Sequence, residues 1–116
     1  MYTLYGIPNC NTVKKAIDWL KKNGIAHQFY DYKKKGITET KLQEWVAQIG
    51  WERLVNKRGT TWKGLDETLQ FTITDNQAAI GLMLEKTSVI KRPIIENGNK
   101  FVAVGFDTKD YENVFY

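Results

Sequence analysis

An apolar stripe set between two β-rich runs constrains this chain more than any other feature. Val13, Ala16, Ile17 and Leu20 recur at i, i+3, i+4 and i+7, the spacing that places four side chains on one face of an α-helix. Asn23-Gly24 follows as a C-terminal stop. Before the stripe, Met1-Tyr2-Thr3-Leu4-Tyr5 is a short β-rich run, ended by Gly6 and Pro8, which favour a loop. After it, Ile25 to Tyr32 is rich in β-branched and aromatic residues and leads into a turn over Lys33 to Gly36. Strand, helix and strand in that order predict a crossover unit with parallel strands.

The middle of the chain reads as helical. Thr38 or Thr40 caps a helix with the stripe Leu42, Trp45, Val46 and Ile49, closed by Gly50. Trp51 to Gly64 is mixed, with Arg58-Gly59-Thr60-Thr61 as a loop between two helical turns. Asp75 offers a cap to a helix carrying Ala78, Ala79, Leu82 and Met83, which ends before Thr87 and Ser88. Arg92-Pro93 then introduces Ile94-Ile95, Asn97-Gly98 signals a hairpin, and Phe101-Val102-Ala103-Val104 returns. Asp107, with Asp110 three residues on, starts a last helix that packs Tyr111, Val114 and Phe115. The order βαβ, helices, ββα predicts an α/β fold with a mixed four-stranded sheet. A single domain over 1–116 is expected, with an inserted helical region at approximately 38–88.

Composition narrows the function classes. The chain has 116 residues, enough for one ordinary domain, and 15 aromatics supply large apolar surfaces for its core. Its basic residues are 14 Lys and only three Arg, whereas base readout and bidentate phosphate clamping favour the guanidinium. The lysine pairs Lys14-Lys15 and Lys21-Lys22 and the run Lys33-Lys34-Lys35 therefore read as solvated surface, and no direct nucleic-acid partner is expected. No run approaches the ~18 apolar residues of a membrane span, and the N-terminus lacks the pattern of a secretory signal. A soluble cytoplasmic protein without a membrane partner is the expectation.

One cysteine, Cys10, excludes both an intramolecular disulfide and a four-thiolate zinc site. The single His27 lies in the strand-like stretch Ile25-Ala26-His27-Gln28-Phe29, a setting for a structural histidine, and no metal site is expected. Any chemistry then rests on Cys10 and a thiol from outside. Cys10 stands where the first loop meets the first helix, so free backbone N–H groups and the positive end of the helix dipole face its sulfur. Lys14 lies one turn on, and the polar flank of Asn9, Asn11 and Thr12 is a poor place to bury an inert thiol. Such surroundings lower a cysteine pKa from about 8.5 to roughly 3.5–7.5. Arg92-Pro93 is the second feature: an X-Pro bond entering a hairpin strand is a candidate cis peptide. Beside Cys10, it would expose a backbone edge to a peptide-like thiol while Arg92 binds a carboxylate or oxyanion.

These residues carry a resemblance over nearly the whole chain. The segments are Leu4-Tyr5-Gly6-Ile7-Pro8-Asn9-Cys10-Asn11-Thr12-Val13-Lys14-Lys15-Ala16, Asn56-Lys57-Arg58-Gly59-Thr60-Thr61-Trp62, Ile90-Lys91-Arg92-Pro93-Ile94 and Val104-Gly105-Phe106. In order and spacing they resemble the arsenate reductase-like family of thioredoxin-fold proteins, most closely its small YffB-type branch. The resemblance implies a thioredoxin-like core with a helical insertion, a nucleophilic Cys10, a cis Pro93, and Arg92 binding an anion near the thiol. For the branch it implies a glutathione-dependent thiol reductase that works through a mixed disulfide, with no bound cofactor and glutathione as co-substrate. On that reading Arg92 and Arg58 hold glutathione or substrate carboxylates, Pro93 presents backbone, and Thr12 hydrogen-bonds the sulfur.

Two related activities define the alternatives. Arsenate reductases of this type carry a histidine before the cysteine and three arginines around the oxyanion. Here Gly6 replaces the histidine, Asn56 stands at one arginine's place, and the Val104 region lacks another. Spx-type regulators share the scaffold, but their redox switches use a C-x-x-C pair, and Val13 occupies its second position here. Docking on RNA polymerase without a switch is the non-catalytic alternative, and glutathione-coupled arsenate reduction the catalytic one.

Overall fold

β1 spans Tyr2–Gly6, α1 Asn11–Lys22 and β2 His27–Asp31 in the computed structural model, which describes all of Met1–Tyr116. β1 and β2 pair in parallel from Tyr2 opposite His27 to Gly6 opposite Asp31. On the other side of β1 lies β3, Ile94–Asn97, antiparallel, and β4, Lys100–Val104, pairs antiparallel with β3. The sheet order is β2-β1-β3-β4, a mixed four-stranded sheet as the element order predicts. The last helix, here α7, spans Thr108–Phe115, after five helices numbered α2 to α6 below.

The chain divides into two compact units, a sheet unit of Met1–Lys35 with Arg92–Tyr116 and a helical unit of Gly36–Lys91. In the sheet unit, Val13, Ala16 and Leu20 of α1 pack with Leu4 of β1, Ile95 of β3, Ala103 of β4 and Tyr111 of α7. An edge-to-face aromatic cluster extends this core: Tyr2 and Phe115 lie 5.0 Å apart, Trp19 and Tyr111 5.3 Å, and Phe106 and Tyr111 5.0 Å. Asp107 caps α7 by accepting from the N–H groups of Lys109 and Asp110 at 2.9 and 3.1 Å. Val114, expected in the core, is 46% exposed. Tyr111 and Phe115 already form the i, i+4 stripe toward Trp19, which turns position 114 outward.

Two local expectations shift by a residue or two. The β2 ladder stops at Asp31 because its carboxylate accepts from the N–H groups of Lys33 and Lys34 at 3.0 and 3.1 Å, so Tyr32–Lys35 winds into a one-turn helix, α2, in place of a strand end and turn. In the hairpin, Asn97 pairs with Lys100, which makes Gly98-Asn99 the loop, with only Gly98 at positive φ, +64°. Glycine at the first central position suits a type II′ turn, whereas Asn97-Gly98 would have suited type I′.

In the helical unit, α3 spans Glu39–Ile49, capped by Thr38, whose hydroxyl accepts from Lys41 N–H at 3.1 Å. Trp51–Arg53 forms a 3₁₀ turn, and the next two helices are α4 at Thr60–Lys63 and α5 at Glu67–Thr72. Thr60 and Thr61 thus lie in a helix, not in the expected loop, and α5 has no counterpart in the sequence pattern. No residue of α5 is buried, and Leu69 and Phe71 are exposed, so it has no apolar stripe to betray it. α6 spans Asn76–Glu85, capped by Asp75 at 2.8 Å from Ala78 N–H. Leu42, Trp45, Val46, Ile80, Leu82 and Met83 are buried here. A short antiparallel bridge, Val55 to Ile90, closes the unit.

Candidate active site

Register brings three chain segments to one end of the sheet. Gly6, the last residue of β1, lies opposite Asp31, so the loop leading to Cys10 and the start of α2 at Tyr32 leave the sheet side by side. Tyr5 lies opposite Ile94, which sets Pro93 and Arg92 at the same end. The Arg92-Pro93 peptide is cis. Pro93 is buried, and its carbonyl accepts from Gly105 N–H at 2.8 Å.

Cys10 occupies the N-cap position of α1 in extended conformation, φ −118° and ψ 123°, and is half-buried against the sheet-unit core. Its carbonyl accepts from Lys14 N–H at 3.0 Å. Burial works to raise the thiol pKa. It is outweighed by the N–H of Val13, a hydrogen bond from the Arg92 guanidinium, the N–H of Thr12 and the Arg92 charge, so the pKa lies below its ordinary value. Neither amide reaches ordinary cap-bond geometry with the sulfur, so each acts on it as a nearby dipole. Thr12 acts on the sulfur through its main-chain amide, and its side chain is exposed.

Arg92 is shared. Its guanidinium hydrogen-bonds both Cys10 and Tyr32; burial works against its charge, and these neighbours hold it above even its usual basic range. Tyr32 is completely buried, and burial pushes its phenol up to about 12 against the pull of Arg92. The site therefore joins a phenol that stays neutral, a fixed guanidinium and a thiol that ionises more readily than an ordinary cysteine. Tyr32 is the site residue that sequence reasoning missed. Its signal was a tyrosine at the end of a strand pattern, where a fully buried hydroxyl requires a partner.

Gly6 matters through close approach. A Cβ there would lie 2.9 Å from one methyl of the buried Val13 and 3.2 Å from the other. The first turn of α1, whose Val13 N–H acts on the sulfur, is thereby seated against the strand end.

Arg58 belongs to the helical unit, whereas Cys10, Thr12, Arg92 and Pro93 belong to the sheet unit. Arg58 is exposed and lines a cavity of about 330 Å³ with Glu52, Val55, Asn56, Lys57 and Lys91. Asn56 orders this loop by accepting from Arg58 N–H at 3.1 Å, and Lys57 sits over the rings of Trp51 and Trp62 at 5.1 and 5.4 Å. His27 has a structural bond, Nδ1 to the Ile25 carbonyl at 2.9 Å. No helix is long and apolar enough to cross a membrane.

Comparison with known proteins decides the family. The model of the ArsC family matches residues 5–114. The chain belongs to the ArsC family. Its mixed sheet with helices is the thioredoxin-like fold of that family. A solved structure of a YffB protein is 41% identical with a TM-score of 0.91, covering 100% of both chains. An arsenate reductase (ArsC) related protein from Brucella melitensis is also 41% identical, with a TM-score of 0.79 over 98% of this chain and 93% of that one. An uncharacterized protein of Haemophilus influenzae is 43% identical over 99% of each chain. The regulatory protein MgsR of Bacillus subtilis is 28% identical over 90% of this chain and 82% of its own. This ArsC-family chain is thus similar both to arsenate reductase relatives and to a regulator.

Proposed function

We propose that this ArsC-family protein is a monothiol oxidoreductase that reduces disulfides with glutathione as co-substrate. The observation that carries the reading is Cys10, half-buried at the N-terminus of α1 with its pKa lowered by two amides and the Arg92 guanidinium. A thiolate is the attacking species in disulfide exchange, and a low-pKa thiolate is also the better leaving group.

The reaction runs in two exchanges. Cys10 thiolate attacks one sulfur of the substrate disulfide, the substrate S–S bond breaks, and the other substrate sulfur leaves as a thiolate and takes a proton from solvent. The chain has no second cysteine, so the mixed disulfide is resolved from outside. Glutathione thiolate attacks the non-protein sulfur, Cys10 leaves as thiolate, and the disulfide so formed carries away the two electrons' worth of oxidation. Arg92 faces the sulfur in both exchanges, and Arg58, with Lys57 and Lys91, supplies cationic surface suited to carboxylates.

The test is mass spectrometry after exposure to oxidised glutathione. One glutathione on Cys10 and none on Cys10→Ser is expected, with release by reduced glutathione; an unmodified wild-type chain overturns the reading. Glutathione-coupled arsenate reduction draws less support, because Arg92 is the sole arginine of the sheet unit. The similarity to the regulatory protein MgsR favours one further reading, a non-catalytic regulator, which would dock on a protein such as RNA polymerase. Binding that survives Cys10→Ser, with no turnover by either form, would favour it.

A further inference from the structure

Arg92 has two partners, and only one of them changes charge during the exchanges described above. In the reduced protein the Cys10 thiolate and the guanidinium attract each other directly. In the mixed disulfide the sulfur is neutral and that attraction is gone. The long arginine side chain, with many rotamers, then needs another anchor if it is to remain over the sulfur. Tyr32 has the properties of that anchor. It is completely buried, follows β2 directly, and starts a helix whose backbone is tied down by Asp31. Its hydroxyl is hydrogen-bonded to Arg92, and the pairing of Gly6 with Asp31 sets it at the sheet end from which Cys10 departs.

We propose that Tyr32 is a positioning residue whose buried hydroxyl accepts from the Arg92 guanidinium and holds it over the Cys10 sulfur when that sulfur is uncharged. The inference rests on Cys10 being the reacting thiol. Its consequence is asymmetric. Attack by Cys10 begins from a thiolate that recruits Arg92 by itself, whereas resolution requires Cys10 to leave as a thiolate into a field already in place. Tyr32 therefore serves the release step. Its phenol stays protonated up to about 12, so the anchor is neutral throughout the working range and does not compete with the sulfur for the positive charge.

The experiment uses single-turnover formation of the glutathione adduct with oxidised glutathione and its release with reduced glutathione. Wild type, Tyr32→Phe, Arg92→Ala and the double variant are compared at a pH where Cys10 is fully ionised. Tyr32→Phe keeps the ring and removes only the hydroxyl. Release is expected to slow about three- to tenfold. Formation should be unchanged or slightly faster, since a more basic thiolate attacks no worse but leaves less readily. Neither rate should respond to Tyr32→Phe in the Arg92→Ala background. Equal slowing of both steps, the same effect without Arg92, or no effect at all would overturn the inference. If wild type forms no adduct, the reading of Cys10 as reacting thiol fails instead. The titration of Cys10 then decides Tyr32: its midpoint must rise on Tyr32→Phe when Arg92 is present and stay put when Arg92 is absent.

Discussion

In the sheet unit, the hydrogen bond from Tyr5 to the buried carboxylate of Glu96, 2.6 Å long, closes across 91 positions of the chain. In the helical unit, by contrast, Thr38 binds Lys41 three positions away, Asp66 binds Thr68 two away, and Gln70 reaches the Trp62 carbonyl eight away. Long-range register and local capping are different ways of fixing a backbone, and they have different chemical consequences. Register brings the segments bearing Cys10, Tyr32 and Arg92 to one sheet end, so the thiol acquires partners that no local motif could supply. Capping fixes one helix at a time, and one short antiparallel bridge, Val55 to Ile90, is what joins Lys91 to Lys57 and Arg58 around an open cavity.

The sharpest way to break this comparison is to disturb the register end without touching a charged group. Gly6→Ala forces a methyl against the buried Val13. Urea unfolding should report a loss of about 1–3 kcal/mol, typical of overpacking. Because the Val13 N–H is the strongest influence lowering the Cys10 pKa, the thiol should also become harder to ionise. A stable Gly6→Ala protein with an unaltered thiol titration would deny the coupling between strand end and site. A smaller effect is expected in the other unit. Asp75→Ala removes the cap of α6 and should cost about 1 kcal/mol, with the Cys10 titration unmoved.

What was legible in the sequence follows the same division. Local signals gave α1, α3, α6 and α7, because each combines a capping or stop residue with an apolar stripe. The mixed four-stranded sheet was legible because element order leaves few ways to pair two parallel and two antiparallel strands. α5 escaped because its Leu69 and Phe71 face solvent, and Val114 was misplaced because an apolar residue one step off the stripe looks like part of it. Of the site, Cys10, Arg92 and the cis Pro93 could be named from position and residue type. The bond from Arg92 to Tyr32 could not, since it depends on register and side-chain direction.

The sign of the pH dependence follows from the thiol. Folding lowers the Cys10 pKa, so the thiolate favours the folded chain. That contribution is present above the ordinary thiol range and is lost as pH falls through the folded-state pKa. The most direct measurement is therefore the pH dependence of Cys10 alkylation, read alongside thiolate absorbance, in wild type and Arg92→Ala. The account predicts a wild-type midpoint below that of a free cysteine thiol and a clear upward move when Arg92 is removed. A wild-type midpoint at or above the free-thiol value, or one indifferent to Arg92, would contradict it.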